Sequence, residues 1–97
     1  MAIISVSRWK GPNDLSLAKD SAPMLKKHGA TSVQIGTVYM GEYSGLHVIV
    51  LAYPDWTAYG NAMQTMLADP DYQTLLKAAA DAGFELQGRS LVVADQM

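Results

Sequence analysis

The chain contains no cysteine, which excludes disulfides, thiolate metal sites and cysteine nucleophiles and leaves its redox compartment unmarked. Charge is scarce as well: only 16% of residues are Asp, Glu, Lys or Arg, and the net charge is −2. The seven Lys and Arg residues are dispersed, with Lys26 and Lys27 the only adjacent pair. Neither a nucleic-acid backbone nor an anionic lipid surface is therefore an expected partner. No apolar run approaches the roughly 20 residues that cross a bilayer, so no membrane span is expected. The opening MAIISVSRW lacks the basic start and long apolar stretch of a signal peptide, and the expected location is the cytoplasm. Nucleotide-binding glycine loops, a GxSxG nucleophile elbow and HxH or HxxxH metal spacings are all missing. No cofactor and no metal are expected.

What remains is apolar and patterned. Of the 97 residues 49% are hydrophobic, enough for one domain spanning 1–97 with a core that needs no staples. Ala2 to Trp9 (AIISVSRW) reads as a strand. Gly11-Pro12-Asn13-Asp14 is a turn in which Asn13 or Asp14 can cap a helix. Leu17, Met24, Leu25 and His28 share one side of that helix, and Gly29 stops it behind Lys26 and Lys27. Pro23 inside it predicts a kink, or else a restart capped by Ser21.

Thr31 to Met40 and Leu46 to Tyr53 read as an antiparallel hairpin around Gly41-Glu42-Tyr43-Ser44-Gly45. Asp55 or Thr57 caps a second helix with the stripe Trp56, Tyr59, Met63, Met66 and Leu67. Asp69-Pro70 breaks it and opens a third, with the stripe Tyr72, Leu75, Leu76 and Ala79 and a stop at Gly83. Phe84 to Ala94 supplies the last strand. The order β-α-β-β-α(α)-β predicts an α+β, ferredoxin-like βαββαβ plait with one four-stranded antiparallel sheet and helices on one face.

If Met40 pairs with Leu46, Val33, Ile35, Thr37 and Tyr39 share a face with His47, Ile49, Leu51 and Tyr53. Gln34, Gly36, Val38 and Met40 then share the other with Leu46, Val48, Val50 and Ala52. Both faces are largely apolar, yet one protomer's helices can cover only one. The uncovered face would leave an apolar patch that soluble monomers rarely tolerate, so a homodimer packed through the sheet face is predicted.

SAPMLKKHGA (Ser21 to Ala30) and MLADPDYQTLLKAAADAGFE (Met66 to Glu85), set in this strand order, resemble the dimeric α/β-barrel superfamily. That superfamily includes antibiotic-biosynthesis-type monooxygenases and small stress-responsive barrel proteins. The resemblance implies a small homodimer forming a dimeric α/β barrel. The activity it suggests is that of a cofactor-independent monooxygenase or isomerase on a small aromatic or polyketide-like substrate. The alternative it leaves open is a non-catalytic ligand-binding or structural dimerisation module.

The candidate catalytic pair is His47 and Tyr39, placed opposite each other by the assumed register: an imidazole beside a phenol can move protons near neutral pH. The plainer role for His47 is a strand-end histidine bonded to Tyr39 or to a loop carbonyl. Candidate ligand-binding residues are Trp9, Tyr53, Trp56, Tyr59 and Asn61, whose aromatic bodies and polar tips suit a pocket for a small apolar ligand. Core filling is the competing role for Trp56 and Tyr59. His28, in the last turn of its helix, suits a cation facing the helix C-terminus. Arg89 reads as a carboxylate partner or as a solvated side chain.

Overall fold

The computed structural model of the protein describes residues 1–95. Strand β1 (Ala2–Lys10) lies inside a four-stranded antiparallel sheet ordered β2-β3-β1-β4, with β2 at Ser32–Thr37, β3 at His47–Tyr53 and β4 at Glu85–Ala94. Helices α1 (Ser16–Lys27), α2 (Trp56–Leu67) and α3 (Pro70–Asp81) complete the element order. This is the expected ferredoxin-like α+β plait. Its shortest dimension, 18 Å, is that of two packed layers.

Each helix starts where the local chemistry provides for it. The Asp14 carboxylate accepts the backbone N–H of Ser16 at 3.0 Å, opening α1 one turn residue later than expected. Ser21 does not restart that helix. Its hydroxyl donates back to the Ala18 carbonyl, and α1 runs on through Pro23 to Lys27. Asp55 caps α2 by accepting from the Ala58 N–H at 2.8 Å, and Asp69 caps α3 by accepting from Asp71 N–H at 2.9 Å. Pro70 occupies the first turn of α3, where its missing N–H costs nothing.

The hairpin departs from expectation by two residues. Thr37, not Met40, closes β2, and the pairs run Thr37–His47, Ile35–Ile49 and Val33–Leu51. Residues 38–46 form a folded loop instead of extended strand, with Gly41 and Gly45 at φ of 107° and 88°. The Ser44 hydroxyl donates to the Tyr39 carbonyl at 2.9 Å and holds the loop back on itself. Side-chain direction has a period of two, so a two-residue shift leaves every residue on its predicted face. Face assignment survives; the partner of His47 changes.

Helices cover the face carrying Ile3, Ser5, Ser7, His47, Leu51 and Tyr53, all buried. Leu25, Ala30, Ala62 and Met66 close this core from above. Two members of the predicted α2 stripe lie outside it: Trp56 is 47% and Leu67 is 67% exposed. The inward side of α2 turns on Ala62, and a small residue there lets the helix approach the sheet while Trp56 and Leu67 rotate outward.

The opposite face carries Ile4, Val6, Val48, Val50 and Ala52, half-buried, and Val92, exposed. No helix of the described residues lies over it. Arg8 crosses this face: Nη1 donates to Ser90 Oγ at 3.1 Å, and the guanidinium carbon sits 4.6 Å from the centre of the Tyr43 ring.

Candidate functional site

A cavity of about 110 Å³ lies between the covered face of the sheet and the three helices. Its walls are mainly apolar, with Leu17, Leu25, Met63, Met66, Leu76 and Phe84 among them. The sheet floor adds polar groups: Ser5, Ser7, Trp9, His47 and Arg89. A strand residue on the covered side would ordinarily be apolar, so two serines there are the anomaly of β1. Their spacing in AIISVSRW already places them on the face of Ile3 and Trp9. That signal was present in the sequence and is the one that would have found them.

His47 is 3% exposed and spends both ring nitrogens inside the protein. Nε2 lies 3.2 Å from the Gly11 carbonyl, which can only accept, so Nε2 carries the hydrogen. Nδ1 lies 2.8 Å from Thr37 Oγ1 and, in the neutral ring, accepts from that hydroxyl. Phe84 meets the imidazole edge-on, with ring centres 6.1 Å apart. The loop-carbonyl bond foreseen for His47 is there; the pairing with Tyr39 is not. Tyr39 is 90% exposed in the 38–46 loop, because β2 ends before reaching it.

The remaining candidates separate into two groups. Trp9 joins the cavity and donates from Nε1 to Ser7 Oγ at 2.9 Å. Tyr53, Tyr59 and Trp56 form a ladder of edge-on rings beyond the cavity lining, with centre separations of 5.5 and 6.2 Å. Tyr53 is fully buried and its hydroxyl has no partner among the described residues. Burial, reinforced by Tyr59 and Tyr72, pushes the Tyr53 phenol above its ordinary value, and Arg89 opposes that rise. Asn61 is exposed on α2 and uses its backbone carbonyl to accept from Thr65 Oγ1 at 3.0 Å.

His28 pairs sideways, with Asp69 at 2.7 Å, instead of serving the end of its own helix. Among the described residues, no group of three or more His, Cys, Asp or Glu side chains is placed to hold a metal ion. No helix among them is long and apolar enough to cross a membrane.

A four-stranded antiparallel sheet with three helices in this order defines a ferredoxin-like domain. Residues 10–93 match the family described as domain of unknown function DUF6854, and the chain belongs to that family. No curated protein matches it. Among solved structures it is similar to a mutant of SnoaB, a cofactor-independent oxygenase from Streptomyces nogalater, at 17% identity and a TM-score of 0.68, covering 99% of this chain and 95% of that one. A Deinococcus radiodurans protein, provisionally assigned as an antibiotic biosynthesis monooxygenase, is similar at 16% identity and a TM-score of 0.71, covering 98% and 94%. A dimeric ferredoxin-like protein from an uncultured marine organism matches at 17% identity and a TM-score of 0.63, covering 98% of both chains. At these identities the likeness is one of fold: the ferredoxin-like architecture of antibiotic-biosynthesis-monooxygenase-like proteins.

Proposed function

We propose that the protein is a homodimer, joined through the helix-free sheet face, which admits a small and largely apolar ligand between sheet and helices and acts on it without a cofactor as a monooxygenase- or isomerase-like enzyme. The observation that carries this reading is the cavity itself, apolar in its walls and polar along one line of its floor. Similarity of fold to a cofactor-independent oxygenase supports the reaction class, and similarity to dimeric ferredoxin-like proteins supports the assembly. An engineered cavity of about 150 Å³ in another protein holds benzene, so a space of about 110 Å³ favours a single-ring substrate over a polyketide. The cytoplasm is the compartment this reading assigns.

His47 is the proton-handling group in this scheme, and Thr37 must release Nδ1 before the ring can take a proton from a ligand. The engagement of both ring nitrogens favours a second reading, a non-catalytic binding module using the same cavity. Oxygen uptake in the presence of single-ring phenols, with thermal-shift measurements on the same compounds, separates the two. Uptake that His47→Gln abolishes supports the enzyme. Stabilisation without turnover supports the binder, and no stabilisation by any of them rejects both.

A further inference from the structure

We propose that the cavity selects a compact organic anion, a small aromatic or branched carboxylate whose apolar body fills the space while its carboxylate is held by Arg89, Ser7 and Ser5. The inference rests on the reading of the cavity as a ligand site and names the class of ligand it takes.

Arg89 is the one Lys or Arg on the cavity wall, and no Asp or Glu stands there to oppose it. Among the described residues it makes no ion pair, while the other guanidinium, that of the half-buried Arg8, is occupied by Ser90 and Tyr43 on the opposite face. The β1–β4 register sets Arg89 directly across from Ser7, and Leu91 across from Ser5. Side chains facing one another across an antiparallel pair start about 5 Å apart, within reach of a shared ligand group.

The serines are arranged to donate. Ser7 is 8% exposed and its oxygen already accepts the Trp9 indole N–H, which leaves its own hydrogen for an acceptor in the cavity. Ser5, 5% exposed, lines the same floor and adds a second hydroxyl. A guanidinium and two hydroxyl donors on one stripe of the floor are complementary to a carboxylate, which only accepts. A neutral ligand would use the hydroxyls but gain no charge-assisted bond from the guanidinium. Arg89 is itself exposed, so water satisfies it until a ligand enters.

The test uses the full chain with two nearly isosteric probes, benzoate and benzamide, titrated calorimetrically into the wild type, Arg89→Gln, Arg89→Lys and Ser7→Ala. Benzoate should bind more tightly than benzamide to the wild type, by about 10- to 100-fold, the range of a charge-assisted hydrogen bond. Arg89→Gln should abolish that preference by weakening benzoate alone, Arg89→Lys should keep part of it, and Ser7→Ala should weaken benzoate by a smaller factor. Equal affinity for the two probes, or an Arg89→Gln variant that still prefers benzoate, overturns the proposal while leaving the cavity as a neutral-ligand site. Binding of neither probe overturns it together with the reading on which it rests. Unliganded melting temperatures confirm that each variant is folded.

Discussion

The imidazole of His28, at the C-terminal end of α1, places Nε2 2.7 Å from Oδ2 of Asp69, the residue that caps α3. Its other nitrogen lies 2.9 Å from the Thr65 hydroxyl on α2. The Thr65 hydroxyl also lies 3.0 and 3.3 Å from the Asn61 and Ala62 carbonyls, which only accept. A carboxylate also only accepts. Nε2 therefore donates to Asp69, and with Nδ1 against Thr65 one shielded side chain links the three helices, with the pair 9% and 12% exposed.

This pair predicts a sign for the response to acid. The hydrogen bond from His28, followed by that from the Asp71 backbone, holds the Asp69 carboxyl below its ordinary value. A carboxyl with a depressed folded value contributes stability in full above the unfolded value of about 3.9, and that contribution fades as pH falls through the folded value. Asp69→Asn keeps a capping oxygen but removes the charge. It should lower the melting temperature at pH 7, and the gap from the wild type should shrink below about pH 4. Circular-dichroism melts from pH 7 to 3 check this.

His47→Ala empties a buried position and leaves the Gly11 carbonyl, on a half-buried residue, without its donor, while the hydroxyl of the exposed Thr37 can turn to water. Orphaned groups of this kind cost about 1–3 kcal/mol, so a loss of at least that size is expected in urea unfolding. Thr37→Val should lose less, because the Gly11 bond stays.

Gly11 has no room for a side chain. A methyl group there would run into the Phe84 ring, the same ring that meets His47 edge-on. Gly11→Ala should destabilise by about 1–3 kcal/mol, the usual cost of overpacking. Phe84→Leu should relieve part of that cost, and a double-mutant cycle measures the coupling.

Val50 sits in the middle of the helix-free face, paired with Val6 on one side and Gln34 on the other. Val50→Lys places a charge at the centre of the proposed sheet-to-sheet contact. An unpaired buried charge costs about 3–5 kcal/mol, so the dissociation constant should rise at least about 100-fold. Sedimentation velocity should show the wild type as a dimer and the variant as a monomer at the same micromolar concentration.

The elements were legible where punctuation was strong. Asp55, Asp69-Pro70 and Gly29 mark helix ends through bonds to adjacent backbone, and the observed ends fall there. The hairpin register was not legible, because TSVQIGTVYM continues to look like strand to its last residue. Only the folding-back of residues 38–46 ends β2 at Thr37 and removes Tyr39 from His47. Among the candidate site residues, Trp9 and His47 reach the cavity, while Tyr39 and Asn61 are exposed. Tyr53, Trp56 and Tyr59 form a cluster of their own. From the sequence Arg89 reads as a carboxylate partner or a solvated side chain, because nothing local says which face of the edge strand β4 the helices cover. The serines of the central strand β1 do carry a signal, in their spacing from Ile3 and Trp9.

By itself, then, the order of residues determined the alternation of strands and helices, the two apolar sides of the sheet and the caps that separate α2 from α3. Those features depend on neighbours within a few positions, where side-chain direction and backbone bonding are set by spacing alone. The tertiary structure decided which hydroxyl meets His47, that His28 reaches Asp69, and that Ser5, Ser7 and Arg89 line one floor. Those meetings join residues that are from 10 to 82 positions apart, and a contact of that span exists only once the sheet has paired and the helices have docked on it.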